Sequence, residues 1–279
     1  MKYFIENGSR YRIRVARDDD PWNPRTDCDG NIGNMMIWWN RYSLGDENRY
    51  LDAGPEEYQI ALVKEKVPES AILELVKGGN ASLRVEFKKD EGRWYLYERK
   101  RDSYISYDNV LEGYMIDDMI EYLTFAERWE LLKKHADIVY LPLYAYEHGM
   151  ITISASSGYP YNDRWDGGQC GWIWTDKETV MKHCGGYRDD SDEFHPLTEE
   201  NWEEVASYAM LSEVKTYDQY LQGDVYGYIV EKYDPEINAW EDNDSCWGFY
   251  SDKFGEELEE ELAREFTSAE LLDEMPLAG

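Results

Sequence analysis

The chain has 279 residues and a formal net charge of −30 at pH 7, with 29 Lys+Arg against 59 Asp+Glu. The charge is uneven, since residues 1–135 carry a net −5 and residues 136–279 a net −25. Such a field argues against direct binding to nucleic acid or anionic membrane, and it attracts basic surfaces. The 11 Trp, 24 Tyr and 7 Phe also argue against a disordered acidic tail, so a packed core is expected.

Strand and helix patterns begin at the N-terminus. Residues 2–17 alternate apolar and polar side chains, which predicts one long strand or a hairpin that turns at Asn7-Gly8. This alternation is not that of a signal peptide. A polar loop and an apolar cluster at 35–39 follow. Residues 56–78 are predicted to be helical with an interruption at Pro68.

The middle of the chain predicts a hairpin, a helix and two further strands. Period-two alternation on both sides of the turn 90–92 predicts the hairpin. Apolar side chains at helical spacing over 113–134 predict one amphipathic helix. The apolar run 138–146 predicts a strand, and residues 151–156 predict a second strand that returns beside it.

The second half predicts further helices and strands. GWIWT, residues 171–175, is predicted to be a short buried strand, and the spacing of Thr175 and Glu178 indicates a capping box that starts a helix near Asp176. Residues 198–222 form the clearest helical pattern, ending at Gly223. The strand pattern VYGYIVEKY, the short apolar segment CWGFY and one or two acidic helices at 255–274 complete the chain.

Hairpins mixed with separate helices predict an α+β fold, with an antiparallel or mixed sheet flanked by several helices. The change in charge suggests two regions, a near-neutral 1–135 and a strongly acidic 136–279. One continuous domain is the alternative, because strands on both sides of this boundary can share a sheet. No apolar run is long enough for a transmembrane helix.

Several segments resemble a family of uncharacterised accessory proteins of tailed phages and mobile elements. They are 23–48, 141–154, 165–174, 213–232 and 245–250. The resemblance implies an accessory phage protein, with the countering of host defence as the expected role. In this family we expect His at the position of Asn40 and a Ser-Gly-Gln-Val run where this chain has Gly167-Gly168-Gln169-Cys170.

Two glutamate clusters are the main candidate site. On one helix, carboxylates three or four residues apart lie about 5–6 Å from each other and repel by roughly 0.2–0.5 kcal/mol per pair. A basic partner would relieve this repulsion, and such carboxylates can imitate the phosphates of DNA. A solvated acidic face is the alternative. The candidate partner-binding residues are Glu199, Glu200, Glu203, Glu204, Glu256, Glu257, Glu260 and Glu261.

A glycine and tryptophan cluster is the alternative site. If it meets Tyr144, Tyr146 and His148 in space, it would form a small aromatic pocket for a ligand such as a nucleotide signal. A tight turn before a buried strand is the competing interpretation. The candidate ligand-binding residues are Trp165, Asp166, Gly168, Gln169 and His148.

Catalytic, metal and cofactor sites have little support in the sequence. The four histidines lack the spacing of a metalloprotease, and there is no nucleophile elbow. The acidic loop with Asp27 and Asp29 only superficially resembles a calcium loop, because its glycine and glutamate positions do not fit. We therefore predict a protein that is not an enzyme and that uses no metal or cofactor.

The partner implied by the charge is a host defence protein with a basic surface, in the cytoplasm of the host cell. The four cysteines form no CxxC pair, which favours a reduced compartment. The basic cluster at 88–101 is expected to pair with the acidic half, within the chain or between subunits. Self-association, if it occurs, is expected to give a homodimer.

Overall fold

The computed structural model of the protein describes residues 1–39, 42–46, 53–79, 81–100, 103–108, 114–156, 158–161, 165–189 and 191–275. The helices are α1 Pro55–Lys66, α2 Glu69–Lys77, α3 Tyr114–Tyr122, α4 Phe125–Ala136, α5 Lys177–His183, α6 Trp202–Gln222 and α7 Gly255–Phe266. The strands are β1 Lys2–Glu6, β2 Ser9–Arg17, β3 Asn34–Ile37, β4 Leu83–Lys88, β5 Arg93–Glu98, β6 Ser103–Asp108, β7 Ile138–His148, β8 Met150–Ala155, β9 Gly167–Asp176, β10 Gly186–Arg188, β11 Phe194–Pro196, β12 Val225–Asp234 and β13 Ala239–Tyr250. The α+β prediction is confirmed.

The strands of the described chain form antiparallel sheets. Two have four strands, in the orders β1-β2-β12-β13 and β3-β9-β7-β8; a third has the order β4-β5-β6, and β10 and β11 form a hairpin. Both four-stranded sheets join strands from either side of residue 135, since β2 pairs with β12 and β3 pairs with β9. The change in charge is therefore not a break in the sheets.

The β3-β9-β7-β8 sheet lies between two layers of helices. Alternate residues of β9 point to opposite faces, so Ile173 packs towards α6 while Trp172 and Trp174 pack towards α1 and α4. This double coverage explains why β9 is buried almost continuously from Cys170 to Thr175. The strand is longer than GWIWT, and it includes the glycines that the sequence predicted to be a turn.

The β1-β2-β12-β13 sheet packs against α7 on one face. Phe4, Ile13 and Val230 of the sheet meet Leu258 and Leu262 of the helix in a separate small core. The hairpin turn predicted at Asn7-Gly8 is confirmed, and both of its residues have positive φ (49° and 77°) as the tight hairpin turn requires.

Two predicted helix boundaries are wrong, and a third helix begins where predicted but with a different capping residue. The helix predicted over 113–134 is two helices, since Thr124 and Glu127 form a capping box that starts α4. The helix near residue 176 is capped by Asp176 and not by Thr175, whose hydroxyl donates to the Ile32 carbonyl. The helix predicted to begin at residue 198 begins at Trp202.

Candidate functional site

The first candidate cluster lies at the N-terminus of α6, and only half of it is helical. Glu199 and Glu200 lie in the turn before the helix. The backbone N–H of Thr198 donates to the Asn201 side chain, and the backbone N–H of Asn201 donates to the Thr198 hydroxyl, so the two residues hold this turn. The like-charged helical pairs predicted for Glu199 with Glu203 and for Glu200 with Glu204 are therefore wrong. All four glutamates remain exposed to solvent.

Two lysines from other parts of the chain lie beside this cluster. The Lys177 Nζ atom lies 2.6 Å from the Glu199 carboxylate, and the Lys133 Nζ atom lies 3.2 Å from that of Glu203. Glu204 accepts a hydrogen bond from the Tyr187 hydroxyl, which raises the pKa of Tyr187 to about 12. The bases come from other elements of the fold, α4 and α5, so sequence distance hid them.

The second candidate cluster lies on a single helix, α7. Leu258, Leu262 and Ala263 form its buried face. The predicted one-turn spacing of Glu256 with Glu260 and of Glu257 with Glu261 is confirmed. Several of these charges have cations of the same chain beside them.

The cations beside α7 come from the N-terminus and from the turn before the helix. Lys2 Nζ lies 3.0 Å from the Glu256 carboxylate, and Lys253 Nζ lies 3.5 Å and 2.7 Å from those of Glu257 and Glu261. Hydrogen bonds with Asp273 and Glu256 raise the pKa of Lys2, and the hydrogen bond with Glu261 raises that of Lys253. Glu260 is exposed, and among the described residues it forms no ion pair.

The acidic segment, which we define as residues 191–204, runs from the β10–β11 turn to the first turn of α6. It contains no Lys or Arg. Its exposed acidic residues are Asp192, Glu193, Glu199, Glu200, Glu203 and Glu204. The β10–β11 hairpin, which the sequence analysis did not predict, brings the first two of these towards the start of α6.

The hairpin also carries a histidine that the sequence analysis set aside. The His195 ring lies 3.0 Å from the Asp189 carboxylate and stacks on Tyr187 at 4.8 Å, and Tyr187 in turn stacks on Tyr208 at 4.0 Å. The hydrogen bond with Asp189 raises the pKa of His195 and lowers that of Asp189. The result is an acidic surface with stacked rings beside it.

Three potential metal-binding groups meet at this hairpin. One donor atom each from Asp189, Glu193 and His195 lies within 4.8 Å of the others. Asp189 already accepts hydrogen bonds from the backbone N–H groups of Ser191 and Glu193 and pairs with His195. These hydrogen bonds explain why the three side chains lie close together in the turn, and no cation is needed to hold them there.

The alternative site is brought together by the pairing of β7 with β9. Tyr146 lies opposite Gly167 and Tyr144 opposite Gln169, so the glycine run and the β7 aromatic residues are neighbours, as the pocket hypothesis required. Because Gly167 and Gly168 belong to β9, the competing interpretation as a turn is wrong for them. Trp165 lies just before the strand, with a relative exposure of 95%.

Tyrosines from the loop between β8 and β9 fill much of the space beside the glycine run and the β7 aromatic residues. Tyr161 stacks on Tyr146 at 5.3 Å and Tyr159 meets Tyr144 at 5.8 Å. A side chain at Gly167 would collide with the Tyr159 hydroxyl, so the glycine is needed for this packing. We call these rings the aromatic cluster; its members are Tyr144, Tyr146, His148, Tyr159 and Tyr161.

His148 forms the open end of the aromatic cluster. Its Nδ1 atom lies 3.7 Å from the Asp166 carboxylate, and its side chain has a relative exposure of 77%. The imidazole stacks on Tyr146 at 6.2 Å. The site therefore presents a ring face and a carboxylate to solvent, which suits the binding of a planar group. Nothing in this geometry tests for catalysis, so the expectation that the protein is not an enzyme stays a prediction.

A buried charged network was missed by the sequence analysis. Arg25, with 1% of its side chain exposed, donates two hydrogen bonds to Asp46, one to Glu213 and one to the Gly33 carbonyl. Glu213 lies on α6, with 13% of its side chain exposed. Burial raises the pKa of Glu213, although Arg25 opposes the shift. The network holds the 18–33 loop against α6.

The basic cluster of the first half makes mostly local contacts. Lys88 lies 4.0 Å from the Glu91 carboxylate and over the Tyr95 ring, and Arg99 donates to the Ala81 and Leu83 carbonyls. These described contacts lie within or beside the β4-β5-β6 sheet, so the predicted pairing with the acidic half of the same chain is wrong for Lys88 and Arg99, and pairing between subunits stays a prediction.

Comparison with protein-family models, characterised proteins and solved structures gave no match. The family resemblance therefore stays a prediction, and Asn40, where that family is expected to have His, lies outside the described residues. Within the described part of the chain, every helix is too short or too polar to cross a bilayer.

Proposed function

We propose that this protein inhibits a host defence nuclease, or another nucleic-acid-binding factor, by protein–protein contact through an acidic surface that imitates DNA. The observation that carries the proposal is the acidic segment, where six exposed carboxylates occur within fourteen residues and no Lys or Arg interrupts them. Such a surface would compete with nucleic acid for a basic cleft, and the net charge of −30 would speed the encounter.

The internal ion pairs rank the two glutamate clusters. Among the described residues, Lys177, Lys133 and Arg188 pair with three of the six exposed acids of the acidic segment, which leaves Glu193, Glu200 and Glu204 without an ion pair. On α7, only Glu260 of the four candidate glutamates lacks one, because Lys2 and Lys253 pair with the other three. We therefore place the main contact at the acidic segment and a secondary contact at α7. A basic partner would compete with Lys177 and Lys133 for their carboxylates.

The choice of a defence factor as the target is supported by the resemblance to accessory proteins of tailed phages. Under this proposal the protein acts in the cytoplasm of the infected cell and contacts neither nucleic acid nor membrane itself. Competition requires no turnover, metal or cofactor.

A salt-dependent pull-down from bacterial lysate tests this proposal. The wild-type protein should capture a basic, nucleic-acid-binding protein at low salt, and both added DNA and high salt should release it. Changing Glu199, Glu200, Glu203 and Glu204 to Gln should reduce capture more than the same change at Glu256, Glu257, Glu260 and Glu261.

A matched control removes the same charge from another surface. Glu57, Glu65, Glu69 and Glu74 are exposed glutamates of α1 and α2, and their change to Gln should leave capture nearly unchanged. A complex that is insensitive to salt, or full capture after all eight candidate glutamates are changed to Gln, would contradict the proposal.

A second candidate function is supported by the aromatic cluster, whose members the fold brings together as the sequence hypothesis required. In this alternative, the protein binds a small planar ligand such as a nucleotide signal, which would stack on the ring of Tyr146 or His148 and bond to Asp166 or Gln169. Stacking on an exposed ring contributes about 1–3 kcal/mol per nucleobase.

Thermal unfolding in the presence of nucleotides tests the second candidate. A specific nucleotide should raise the midpoint, and His148→Ala with Asp166→Asn should abolish that rise while the glutamine variants retain it. No shift with any nucleotide, or a shift that survives the His148 and Asp166 changes, would contradict ligand binding at this site.

A further inference from the structure

Strand β13 is an open edge of the β1-β2-β12-β13 sheet. The opposite edge is covered, because the Tyr3 and Leu272 backbones exchange hydrogen bonds of 2.8 Å. Among the described residues, no segment pairs with the outer side of β13. An open edge of this kind leaves a row of backbone donors and acceptors available to another chain.

The exposure of β13 is unusual for its length. It is a strand of twelve residues, and the eight consecutive residues 241–248 are all exposed. Both faces are therefore uncovered, because neighbouring side chains point to opposite sides. Trp247, with a relative exposure of 43%, lies over Gly227 of β12, where any side chain would collide with its ring. The edge is accessible from both faces and has a positioned aromatic residue near one end.

The charge of this edge is entirely negative. The charged residues of β13 are Glu241, Asp242 and Asp244, and no Lys or Arg occurs from residue 233 to residue 252. Within the described chain these three carboxylates form no ion pair. If two copies paired along β13, the only charged side chains brought together would be acidic, which is unfavourable.

A bulge places the carboxylates on both faces of the sheet. Asp244 lies opposite Val230 and Asp242 opposite Glu231, so Asn243 is the additional residue between them. Asp244 therefore shares the core face of Val230, and Asp242 lies on the other face. Glu241, opposite Lys232, returns to the face of Val230. A complementary strand must then present positive charge to both faces, as a run of consecutive Lys or Arg residues does.

We propose that the outer edge of β13 binds an extended, Lys/Arg-rich segment of a partner protein as an additional strand. Backbone hydrogen bonds would supply the pairing, and the three carboxylates would select a basic segment and reject a second copy of this chain. Charges and bulges on edge strands hinder indiscriminate pairing. The acidic charges of β13 still allow a strand of opposite charge to pair with it. This site goes beyond the proposed function, because it contains none of the eight candidate glutamates. Its partner is defined only by an extended Lys/Arg-rich segment and need not bind nucleic acid.

Hydrogen–deuterium exchange of the full chain with two peptides tests this site. The first peptide has a central run of consecutive arginines flanked by valine and threonine; the second has the same sequence with the amides of the run N-methylated. Both carry the same charge, but only the first can donate backbone hydrogen bonds from the arginine run. We expect the first peptide to slow amide exchange in residues 239–250, and the methylated peptide to give no protection there.

Two charge-matched variants separate the edge from general attraction. The first carries Glu241→Gln, Asp242→Asn and Asp244→Asn, and the second carries Glu256→Gln, Glu257→Gln and Glu260→Gln. Each loses three negative charges at exposed positions. Fluorescence anisotropy with the labelled first peptide should show about tenfold weaker binding for the first variant and a much smaller loss for the second. Circular dichroism should show that both variants fold.

Three results would overturn the proposal. The first is an equal loss of affinity in the two variants, which would indicate attraction by net charge alone. The second is protection by the first peptide that falls outside residues 239–250. The third is protection of these residues in the free protein that increases with its concentration, which would show that a second copy occupies the edge. The experiment contains no host factor, so none of these results bears on the lysate test.

Discussion

At the scale of single residues, buried charge distinguishes structural acids from those available to a partner. Glu213 belongs to a helix whose other acidic residues are mostly exposed, but it binds Arg25 and accepts the backbone N–H groups of Ile32 and Gly33. Nothing in the local sequence marks it, since its partners are about 180 residues away. A glutamate beside a helix stripe is thus not a reliable sign of a solvated face.

Removal of Arg25 should be strongly destabilising. Arg25→Met leaves the carboxylates of Asp46 and Glu213 without their cation, which costs about 3–5 kcal/mol for a buried pair. Urea unfolding measures the loss. As a control, Arg17→Met breaks the exposed pair with Asp224 and should cost less than about 1 kcal/mol. Equal losses in the two variants would contradict the structural role of Arg25.

The pair of His195 and Asp189 gives a testable pH dependence. The hydrogen bond with Asp189 raises the pKa of His195 above its ordinary 6.5, and the charges of Glu193 and Glu204 act in the same direction. The stabilisation from protonated His195 is therefore fully present below pH 6.5 and is lost as the pH rises through the raised pKa.

NMR titration of the imidazole protons should detect this shift directly. Asp189→Asn should lower the pKa of His195 towards 6.5, because the largest cause of the shift is removed. Asp192→Asn, which removes a nearby carboxylate whose ion pair is with Arg188, is the control and should change the titration little. A pKa of His195 that is the same in wild type and in the Asp189 variant would contradict the pairing.

At the scale of elements, side-chain caps and close backbone contacts set the boundaries that periodicity misses. The apolar spacing over 113–134 continues through Leu123, but the chain turns because the Thr124–Glu127 capping box starts a new helix. Likewise, the strand predicted over 171–175 begins earlier, at Gly167, since β7 pairs with it along its whole length. Hydrophobic period alone does not report either event.

Gly171 shows how a single glycine permits two strands to pair closely. A side chain at this position would collide with the Met36 carbonyl of β3, whereas a side chain at Gly168 would meet nothing within 4 Å. Gly171→Ala should therefore destabilise the protein by about 1–3 kcal/mol. Gly168→Ala, in the same strand, should change stability by no more than about 0.5 kcal/mol. Thermal and urea unfolding of both variants check this difference, and equal stabilities would contradict it.

At the scale of the whole molecule, some basic residues of the first half pair with acids of the second half. Lys2, Arg12, Arg25 and Lys133 each pair with an acid beyond residue 200. These bonds join the two charge regions, which agrees with sheets that cross the boundary. They are too few to balance the excess of acid, so the surface remains negative.

The self-repulsion of this charge should make stability depend on salt. Raising NaCl from low to physiological concentration shortens the Debye length to about 8 Å and screens repulsion among the exposed acids. The midpoint of thermal unfolding should therefore rise with salt, and it should rise less in the variant with all eight candidate glutamates changed to Gln. A midpoint that falls with salt would show instead that ion pairs dominate the surface.

The sequence by itself determined the fold class, most of the helices and hairpins, and the size and uneven distribution of the charge. These properties follow from local periodicity, turn residues and composition, each of which is contained in a short stretch of chain. The hairpin at Asn7-Gly8 and the amphipathic stripe of α6 are examples.

Only the tertiary structure decided which acids are free and which surfaces are open. Distant segments supply the lysines that pair with Glu199 and Glu203 and the arginine that pairs with the buried Glu213. They also supply the rings that pack in the aromatic cluster. The open edge of β13 is likewise set by the order of strands in a sheet. A sequence does not show these contacts because they depend on which elements pack together, and that choice is made by the whole core.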